Sequence, residues 1–245
     1  MPTAAQNAAS SPEQIATACD ITHPMFRTGT PDCNAANSGP TGYSVAHPRS
    51  AIAPGSPRTS LAGMAIESTM LALGTSAPPF ALPDPATGVV VSLDELAGPA
   101  LVVTFICNHC PYVQHVAAGL AALGRDLADQ GVAMVGISSN DVATYPQDGP
   151  DQMVAEGRRH GWTFPYLYDE TQDIARSFSA ACTPDTFVFD GERRLVYRGQ
   201  LDDSRPKNEL PVTGADIRAA VDAVLAGQPV DPNQRPSIGC GIKWR

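Results

Sequence analysis

A continuous run of β-branched and apolar residues, PALVVTFI at 99–106, is followed after four residues by a helical pattern over 111–130. The run is typical of a short strand that is buried on both faces. Apolar residues three and four apart mark one face of the helix, and Gly131 supplies the usual stop. A buried strand that leads directly into an amphipathic helix predicts an α/β fold.

The same alternation continues along the chain. We expect further strands at 88–93, 132–139, 164–169, 185–190 and 194–199, the last two as a β-hairpin. We expect further helices at 150–161, 170–180 and 214–227. Elements that alternate and then end in a hairpin and a helix predict a three-layer sandwich around a mixed central sheet.

Residues 1–63 differ in composition from the rest of the chain. They contain only six Ile, Leu, Val and Phe residues, which is too few for a packed core. We therefore expect a largely irregular N-terminal tail at 1–63 and a domain at 64–245, with its core at about 72–227 and a C-terminal tail at 228–245. Met64 precedes a stretch that is typical of a domain start, so an alternative is that the true start is Met64.

Charge and hydropathy argue against nucleic-acid binding, secretion and a membrane span. The acids and bases of residues 1–63 balance, so the formal net charge of −9 belongs to residues 64–245. An acidic domain without a Lys/Arg cluster argues against nucleic acid as a partner. The sequence has no basic segment followed by an apolar core at its start, as a secretory signal has, and no apolar run long enough for a membrane span. We therefore expect a cytoplasmic protein, in which structural disulfides are rare.

Two of the six cysteines, Cys107 and Cys110, form a CxxC pair at the predicted strand-to-helix junction. Free backbone N–H groups and the positive end of the helix dipole stabilise a thiolate at such a junction. The spacing also lets one thiol reach the other sulfur, so that a mixed disulfide can form and be resolved in one site. The pair indicates a redox couple, with a metal-bound pair or two buried structural thiols as the alternatives.

A second feature, CTPDTFVFD at 182–190, places Thr183 and Pro184 directly before a predicted strand. With the CxxC pair, it makes residues 72–227 resemble the thioredoxin superfamily. The stretches GTSAPPFALPD and VSLDELAGPALVVTFIC are similar to its peroxiredoxin-like branch, the alkyl hydroperoxide reductase/thiol-specific antioxidant group, and CNHCPYV and SIGCGIKW resemble one uncharacterised bacterial subfamily of it. The resemblance implies a thioredoxin-like fold, a cis bond before Pro184, and a substrate-binding role for Thr183 and Pro184.

The order of attack within the motif has two interpretations. The resemblance implies that Cys107 attacks and Cys110 closes the internal disulfide, and we favour this order. Pro111 supports the reverse, because proline favours the first helical position, which would make Cys110 the N-cap and give it the helix dipole. His109, inside the motif, can hydrogen-bond a thiolate or add positive charge.

The peroxiredoxin pattern is matched in part. The resemblance implies a Thr or Ser three residues before the attacking cysteine, and Thr104 takes this place, where it can hydrogen-bond the thiolate of Cys107. The proline of that pattern is one position off, at Pro99, and Arg198 is a candidate for its arginine.

Cys182 and Cys240 are possible accessory thiols. Cys182 lies two residues before Pro184 and therefore close to the predicted site. Cys240 lies in the C-terminal tail, from which it could resolve an oxidised Cys107 or pair between subunits. We name no metal ligand and no bound cofactor.

The sequence thus predicts a thiol–disulfide oxidoreductase with peroxiredoxin-like character. Its substrate would be a protein or small-molecule disulfide or a hydroperoxide, and its electrons would come from a dithiol protein. One alternative is a thiol peroxidase that works through a sulfenic acid on Cys107. The other is a non-catalytic protein that binds a metal or a partner through Cys107 and Cys110.

Overall fold

The computed structural model describes residues 65–245, so the predicted tail at 1–63 and the start at Met64 lie outside the described residues. The strands of the described part are β1 (Ala65–Glu67), β2 (Ala81–Pro83), β3 (Val90–Ser92), β4 (Ala100–Phe105), β5 (Ala133–Ser138), β6 (Tyr166–Tyr168), β7 (Cys182–Thr183), β8 (Asp185–Asp190), β9 (Leu195–Gly199) and β10 (Ile238–Gly241). The helices are α1 (Pro111–Asp129), α2 (Pro150–His160), α3 (Asp173–Ser177) and α4 (Ala215–Leu225). Among the helices of residues 65–245, none combines the length and the apolar character needed to cross a membrane.

Five strands form the central sheet, in the order β6-β5-β4-β8-β9. β4 pairs in parallel with β5 and antiparallel with β8, so that Val103 lies opposite Val135 on one side and Phe187 on the other. β8 and β9 form the predicted hairpin. The sheet is therefore mixed, as predicted. Every residue of the central strand β4 is buried, which explains its continuous apolar run.

Packed elements cover both faces of this sheet. One face carries Val102 and Val188 and packs against apolar side chains of α1 and α4. The other carries Val103 and Phe187 and packs against α3 and β2. Phe178, which is fully buried on this second face, stabilises the fold by about 2–3 kcal/mol through burial alone. The two covered faces confirm the predicted three-layer sandwich.

α1 begins at Pro111 and follows the predicted apolar pattern. Its buried residues are Val113, Val116, Ala117, Leu120, Ala121, Leu123, Gly124 and Leu127. Replacing Leu120, which is 1 % exposed, by alanine would cost about 2–5 kcal/mol of unfolding free energy. The helix ends at Asp129, and Gly131, with a φ of 71°, makes the left-handed turn towards β5.

The last strand, β10 at Ile238–Gly241, lies within the predicted C-terminal tail at 228–245. It pairs antiparallel with β1 on one side and with β7 on the other. The sequence of this strand, IGCG, did not predict a strand, because glycine is depleted in strands. Gly239 is required here, since a Cβ at this position would lie 2.0 Å from the carbonyl oxygen of Thr183. The backbone of β10 therefore lies directly against residue 183.

Candidate active site

The CxxC segment lies where the central strand β4 is connected to α1. Pro111 is the first residue of α1, and Cys110 is its N-cap, with φ and ψ of −71° and 120°. This extended conformation is the one favoured for a residue before proline. Cys110, rather than Cys107, therefore stands at the positive end of a 19-residue helix.

Both sulfurs of the motif contact residue 183. Cys107 Sγ lies 3.4 Å from Thr183 Oγ1, and the S–H of protonated Cys110 donates to the Thr183 carbonyl oxygen at 3.1 Å. The peptide bond between Thr183 and Pro184 is cis, as the resemblance implies. Cys107 is 1 % exposed and Cys110 is 0 % exposed. The fold thus brings the CxxC pair and the Thr183–Pro184 pair together in a buried site.

The two thiols differ in their electrostatic surroundings. The pKa of Cys110 is lowered because the thiols of Cys107 and Cys240 hydrogen-bond to its sulfur and stabilise a thiolate. The pKa of Cys107 is raised because its hydrogen bond to Cys110 holds the proton, because it is buried, and because the carboxylate of Asp148 repels a negative charge. The Thr183 carbonyl opposes a thiolate on Cys110, but two thiol donors and the helix N-terminus outweigh it. The negative charge of the pair therefore belongs on Cys110.

His109 is directed at an acid and not at a cysteine. Its Nδ1 lies 2.6 Å from Asp148 Oδ2, and its ring stacks on Tyr145 with 5.4 Å between the centroids. Within residues 65–245, one donor atom each of Cys107, His109 and Asp148 lies within 4.8 Å of the other two, and all three are metal-ligating types. His109 and Asp148 are already hydrogen-bonded to each other. We therefore interpret this cluster as one that stabilises the conformation of the CxxC loop, and not as a metal site.

Asp148 is a site residue that the sequence analysis missed. Its fully buried carboxylate accepts hydrogen bonds from the backbone N–H groups of Asn108 and His109, from the His109 ring, and from the Asn140 amide. Burial alone raises the pKa of Asp148, but the hydrogen bonds from His109 and Asn140 outweigh burial and lower it. Asp148 therefore holds the middle of the CxxC loop as an ionised group at neutral pH.

A signal for Asp148 was present in the sequence. β4 and β5 are parallel neighbours, so the segments that follow them meet at the same edge of the sheet. The segment after β5 contains SSND at 138–141 and PQDG at 146–149, which supply the polar groups that now surround the loop. A parallel pairing of β4 with β5 would have predicted that these two stretches lie beside the CxxC pair.

The two residues of the peroxiredoxin pattern have other partners. Thr104 is opposite Thr186 in the sheet, and their hydroxyl oxygens are 3.0 Å apart. Arg198 donates from Nη1 to Gln234 Oε1 at 2.7 Å. The hydroxyl of Thr104 is thus paired with Thr186 within the sheet, and it does not make the expected hydrogen bond to the Cys107 sulfur.

Of the two accessory thiols, one belongs to the core and the other to the site. Cys182 is fully buried, its thiol points at the Pro184 carbonyl oxygen at 3.6 Å, and burial raises its pKa. Cys240 is 8 % exposed on β10, opposite Thr183, whose carbonyl contacts Cys110, and its interaction with the Cys110 sulfur raises the pKa of Cys240. Within the predicted tail, Cys240 therefore lies in a paired strand, and the thiol that it interacts with is Cys110 rather than Cys107.

The AhpC/TSA family matches residues 73–198, which is about half of the chain. The chain belongs to the AhpC/TSA family. In this AhpC/TSA protein the matched region contains the CxxC pair and Thr183–Pro184, whereas β10 and Cys240 lie beyond it. No curated protein matches the chain.

Two solved structures are similar to this AhpC/TSA protein over most of their length. An uncharacterized conserved protein from Geobacillus kaustophilus is 53 % identical over 74 % of this chain and 96 % of its own, with a TM-score of 0.73. A hypothetical protein from Sinorhizobium meliloti 1021 is 50 % identical over 73 % of this chain and 98 % of its own, with a TM-score of 0.72. A thiol:disulfide interchange protein of the thioredoxin family from Chlorobium tepidum TLS is 21 % identical over 63 % of this chain and 98 % of its own, with a TM-score of 0.49.

Proposed function

We propose that the protein is a cytoplasmic thiol–disulfide oxidoreductase whose redox couple is Cys107 and Cys110. The observation that carries this proposal is the position of Cys110. It caps a long helix, it has thiol neighbours, and it lies against the Thr183–Pro184 segment. A thiolate is stabilised at such a position, and a partner thiol is within reach to resolve a mixed disulfide.

We assign the attack to Cys110, which is the alternative that Pro111 supported in the sequence. The Cys110 thiolate attacks a substrate disulfide, forms a mixed disulfide and releases one substrate thiolate. Cys107 then loses its proton and attacks Cys110 Sγ, which forms the Cys107–Cys110 disulfide and releases the second substrate thiolate. Cys107 ionises more readily at this stage, because Cys110 no longer carries a negative charge beside it. A dithiol protein would then reduce the internal disulfide.

A pocket lies at the surface beside the CxxC loop. It has a volume of about 290 Å³ and is lined by Asn108, His109, Gln114, Gln147, Gln152, Ala155 and Glu156. Both sulfurs are buried, so a protein disulfide has to displace the loop locally, whereas a small disulfide has less to displace. We propose disulfides as the substrate class, because a thiolate with a second thiol beside it reacts with disulfides by exchange. Thr183 and Pro184 would position the substrate backbone.

A second candidate is hydroperoxide reduction through a cysteine sulfenic acid, which membership of the AhpC/TSA family favours. The contacts of Thr104 with Thr186 and of Arg198 with Gln234 make this candidate the weaker one. We also propose that CNHCPYV and SIGCGIKW mark one bacterial subfamily, since both segments contribute a cysteine to the same site.

The test compares reduction of insulin disulfides with consumption of hydrogen peroxide for the purified full chain and its serine variants. We expect insulin reduction by the wild type, and none by Cys110→Ser. Cys182→Ser is the matched control, because it removes a buried neighbouring thiol that takes no part in the proposed reaction, and it should behave as wild type. Peroxide consumption that survives Cys110→Ser but not Cys107→Ser, without insulin reduction, would contradict the proposal in favour of a Cys107 peroxidase.

A further inference from the structure

Cys110 has a thiol neighbour on each side. Cys107 precedes it in the loop, and Cys240 approaches it from β10, more than one hundred residues later in the chain. Directly opposite residues of an antiparallel pair point to the same face of the sheet. Cys240 is opposite Thr183, whose hydroxyl contacts Cys107 and whose carbonyl contacts Cys110. The Cys240 side chain therefore belongs to the face of β10 and β7 on which the CxxC pair lies.

The fold fixes β10 in this position from several directions. Gly239 allows β10 to approach the carbonyl of Thr183 more closely than any side chain would permit. Beyond Cys240, the N–H of Ile242 donates to the Ala181 carbonyl at 3.0 Å, and the N–H of Lys243 donates to Asn140 Oδ1 at 2.8 Å. Cys240 itself is 8 % exposed. A buried thiol held this firmly beside a reactive sulfur is placed for reaction with it.

The arrangement of the three sulfurs favours exchange over metal binding. A metal site requires ligand atoms that converge on one point. In the described part of the chain, the one cluster of three or more metal-ligating residues is Cys107, His109 and Asp148, so the three cysteine sulfurs do not converge in that way. Thr183 instead connects the three thiols: it contacts the sulfurs of Cys107 and Cys110 and faces Cys240 across the strand pair, and all three cysteines belong to one cluster of buried residues. In thiol–disulfide exchange the attacked sulfur breaks its bond to one sulfur as it forms a bond to another, and Cys110, the sulfur that takes the substrate in the proposed function, is the one we assign to this role.

We propose that Cys240 is a third redox-active thiol that forms an internal disulfide with Cys110, as a second resolving residue for the same attacking sulfur. When Cys110 is joined to a substrate sulfur it no longer carries a negative charge, so the Cys240 thiol loses its proton to the departing substrate thiolate and its sulfur attacks Cys110 Sγ. The Cys110–Cys240 bond forms, the bond to the substrate breaks, and the substrate sulfur leaves as a thiol. The two thiols lose two electrons and the substrate disulfide gains them, so the step needs no further oxidant.

The same chemistry connects the two internal disulfides. Attack of Cys240 on the Cys107–Cys110 disulfide forms Cys110–Cys240 and releases Cys107 as a thiolate, with no net oxidation. The oxidised protein is then a mixture of two disulfides that share Cys110. This inference rests on the proposed function, because it takes Cys110 as the sulfur that reacts with substrate.

The experiment oxidises the full-length protein with oxidised glutathione, quenches it with acid, alkylates the free thiols and maps the peptides by mass spectrometry. The variants are Cys107→Ser, Cys107→Ser with Cys240→Ser, and Cys107→Ser with Cys182→Ser as the matched control. We expect Cys107→Ser and the control to yield the Cys110 peptide linked to the Cys240 peptide. The variant that lacks Cys107 and Cys240 should retain a glutathione adduct on Cys110. In the unmutated protein both internal disulfides should be found.

The outcomes separate this inference from the proposed function. A glutathione adduct that persists on Cys110 in Cys107→Ser, or a link from Cys110 to Cys182, would overturn the role of Cys240. If the wild type still forms the Cys107–Cys110 disulfide in that case, the proposed function stands. A wild type in which Cys110 carries neither an adduct nor a disulfide would overturn both. Because the wild-type mapping needs no substitution, the role of Cys240 can be rejected even if a variant fails to fold.

Discussion

Cys107 and Cys110 lie three residues apart in one loop, yet they have opposite surroundings. Cys107 lies beside the buried, ionised carboxylate of Asp148, which raises the cost of a second negative charge. Cys110 stands at the N-terminus of α1, and its interactions with the thiols of Cys107 and Cys240 lower its pKa. The difference shows that the roles of the two cysteines depend on which residues the fold brings to each side of the loop, and the CxxC spacing alone does not contain that information.

Two buried acids sharpen the same contrast. Asp148, on the Cys107 side, is satisfied by four hydrogen bonds and its pKa is lowered. Asp185, directly after Pro184, is fully buried, and burial raises its pKa to about 7. Its Oδ1 has no hydrogen-bond partner within residues 65–245. Of these two buried acids, Asp148 is therefore a fixed negative charge beside the CxxC loop, and Asp185 is a carboxyl group next to Cys182 whose pKa of about 7 lets it titrate near neutral pH.

The largest expected effect comes from removing one sulfur or the other. Cys110→Ser should abolish insulin-disulfide reduction, because it removes the attacking thiolate. Cys107→Ser should retain part of the wild-type rate, because Cys240 can still resolve the mixed disulfide at Cys110. The measurement is the initial rate with a dithiol reductant in excess. Equal and complete loss in both variants would show that Cys107 is the one resolving thiol, and full loss in Cys107→Ser alone would reverse the assignment.

Asp148→Asn removes the charge that distinguishes the Cys107 side. The pKa of Cys107 should fall, which a pH titration of thiolate absorbance would detect in a Cys110→Ser background. The free energy of unfolding should fall by about 1–3 kcal/mol, since the amide cannot accept all the hydrogen bonds that the buried carboxylate accepts. In the wild type this contribution is present above the unfolded pKa of an Asp and is lost as the pH falls through the lower folded value, below about 4.

Asp151→Asn, an exposed position in the first turn of α2, is the matched control for Asp148→Asn. It makes the same chemical change three residues away and should leave the stability and the pKa of Cys107 unchanged. A stability loss that is no larger for Asp148→Asn than for this control would contradict the role given to Asp148.

Asp185→Asn tests the other buried acid through the pH dependence of stability. Because the folded pKa lies above the unfolded one, the stabilising contribution of protonated Asp185 is complete below about pH 4 and is lost as the pH rises towards 7. The asparagine variant does not ionise, so it should exceed the wild type in unfolding free energy by on the order of 2 kcal/mol at pH 8, and by less at pH 5. Urea denaturation at the two pH values measures the difference, and an equal difference at both would argue against a raised pKa.

The smallest expected effect belongs to Thr104. Thr104→Val leaves the hydroxyl of Thr186 unpaired in a buried position, so the free energy of unfolding should fall by about 1–2 kcal/mol. Thr104→Ser keeps the hydroxyl and serves as the matched control. Neither change should alter the rate at which Cys107 or Cys110 is alkylated. A slower reaction of Cys107 in Thr104→Val alone would instead support the peroxiredoxin-like contact.

Much of the fold was predictable, because its central elements have strong local signals. The run at 99–106 became β4, which is one residue shorter at each end, and the helical pattern at 111–130 became α1, which begins at the predicted residue and ends one residue earlier. The region around β10 was missed because strand pairing of a short glycine-rich segment is decided by distant partners. Asp148 was missed for a related reason, since it reaches the loop through the parallel pairing of β4 with β5.

The most direct test of the central claim, that the thiolate of the pair resides on Cys110, is alkylation of the reduced protein with less than one equivalent of iodoacetamide near neutral pH. Peptide mapping then gives the label on each cysteine, with Cys182→Ser labelled in parallel. We expect Cys110 to carry most of the label among Cys107, Cys110 and Cys240. Predominant labelling of Cys107 would contradict it and restore the order of attack that the sequence first favoured.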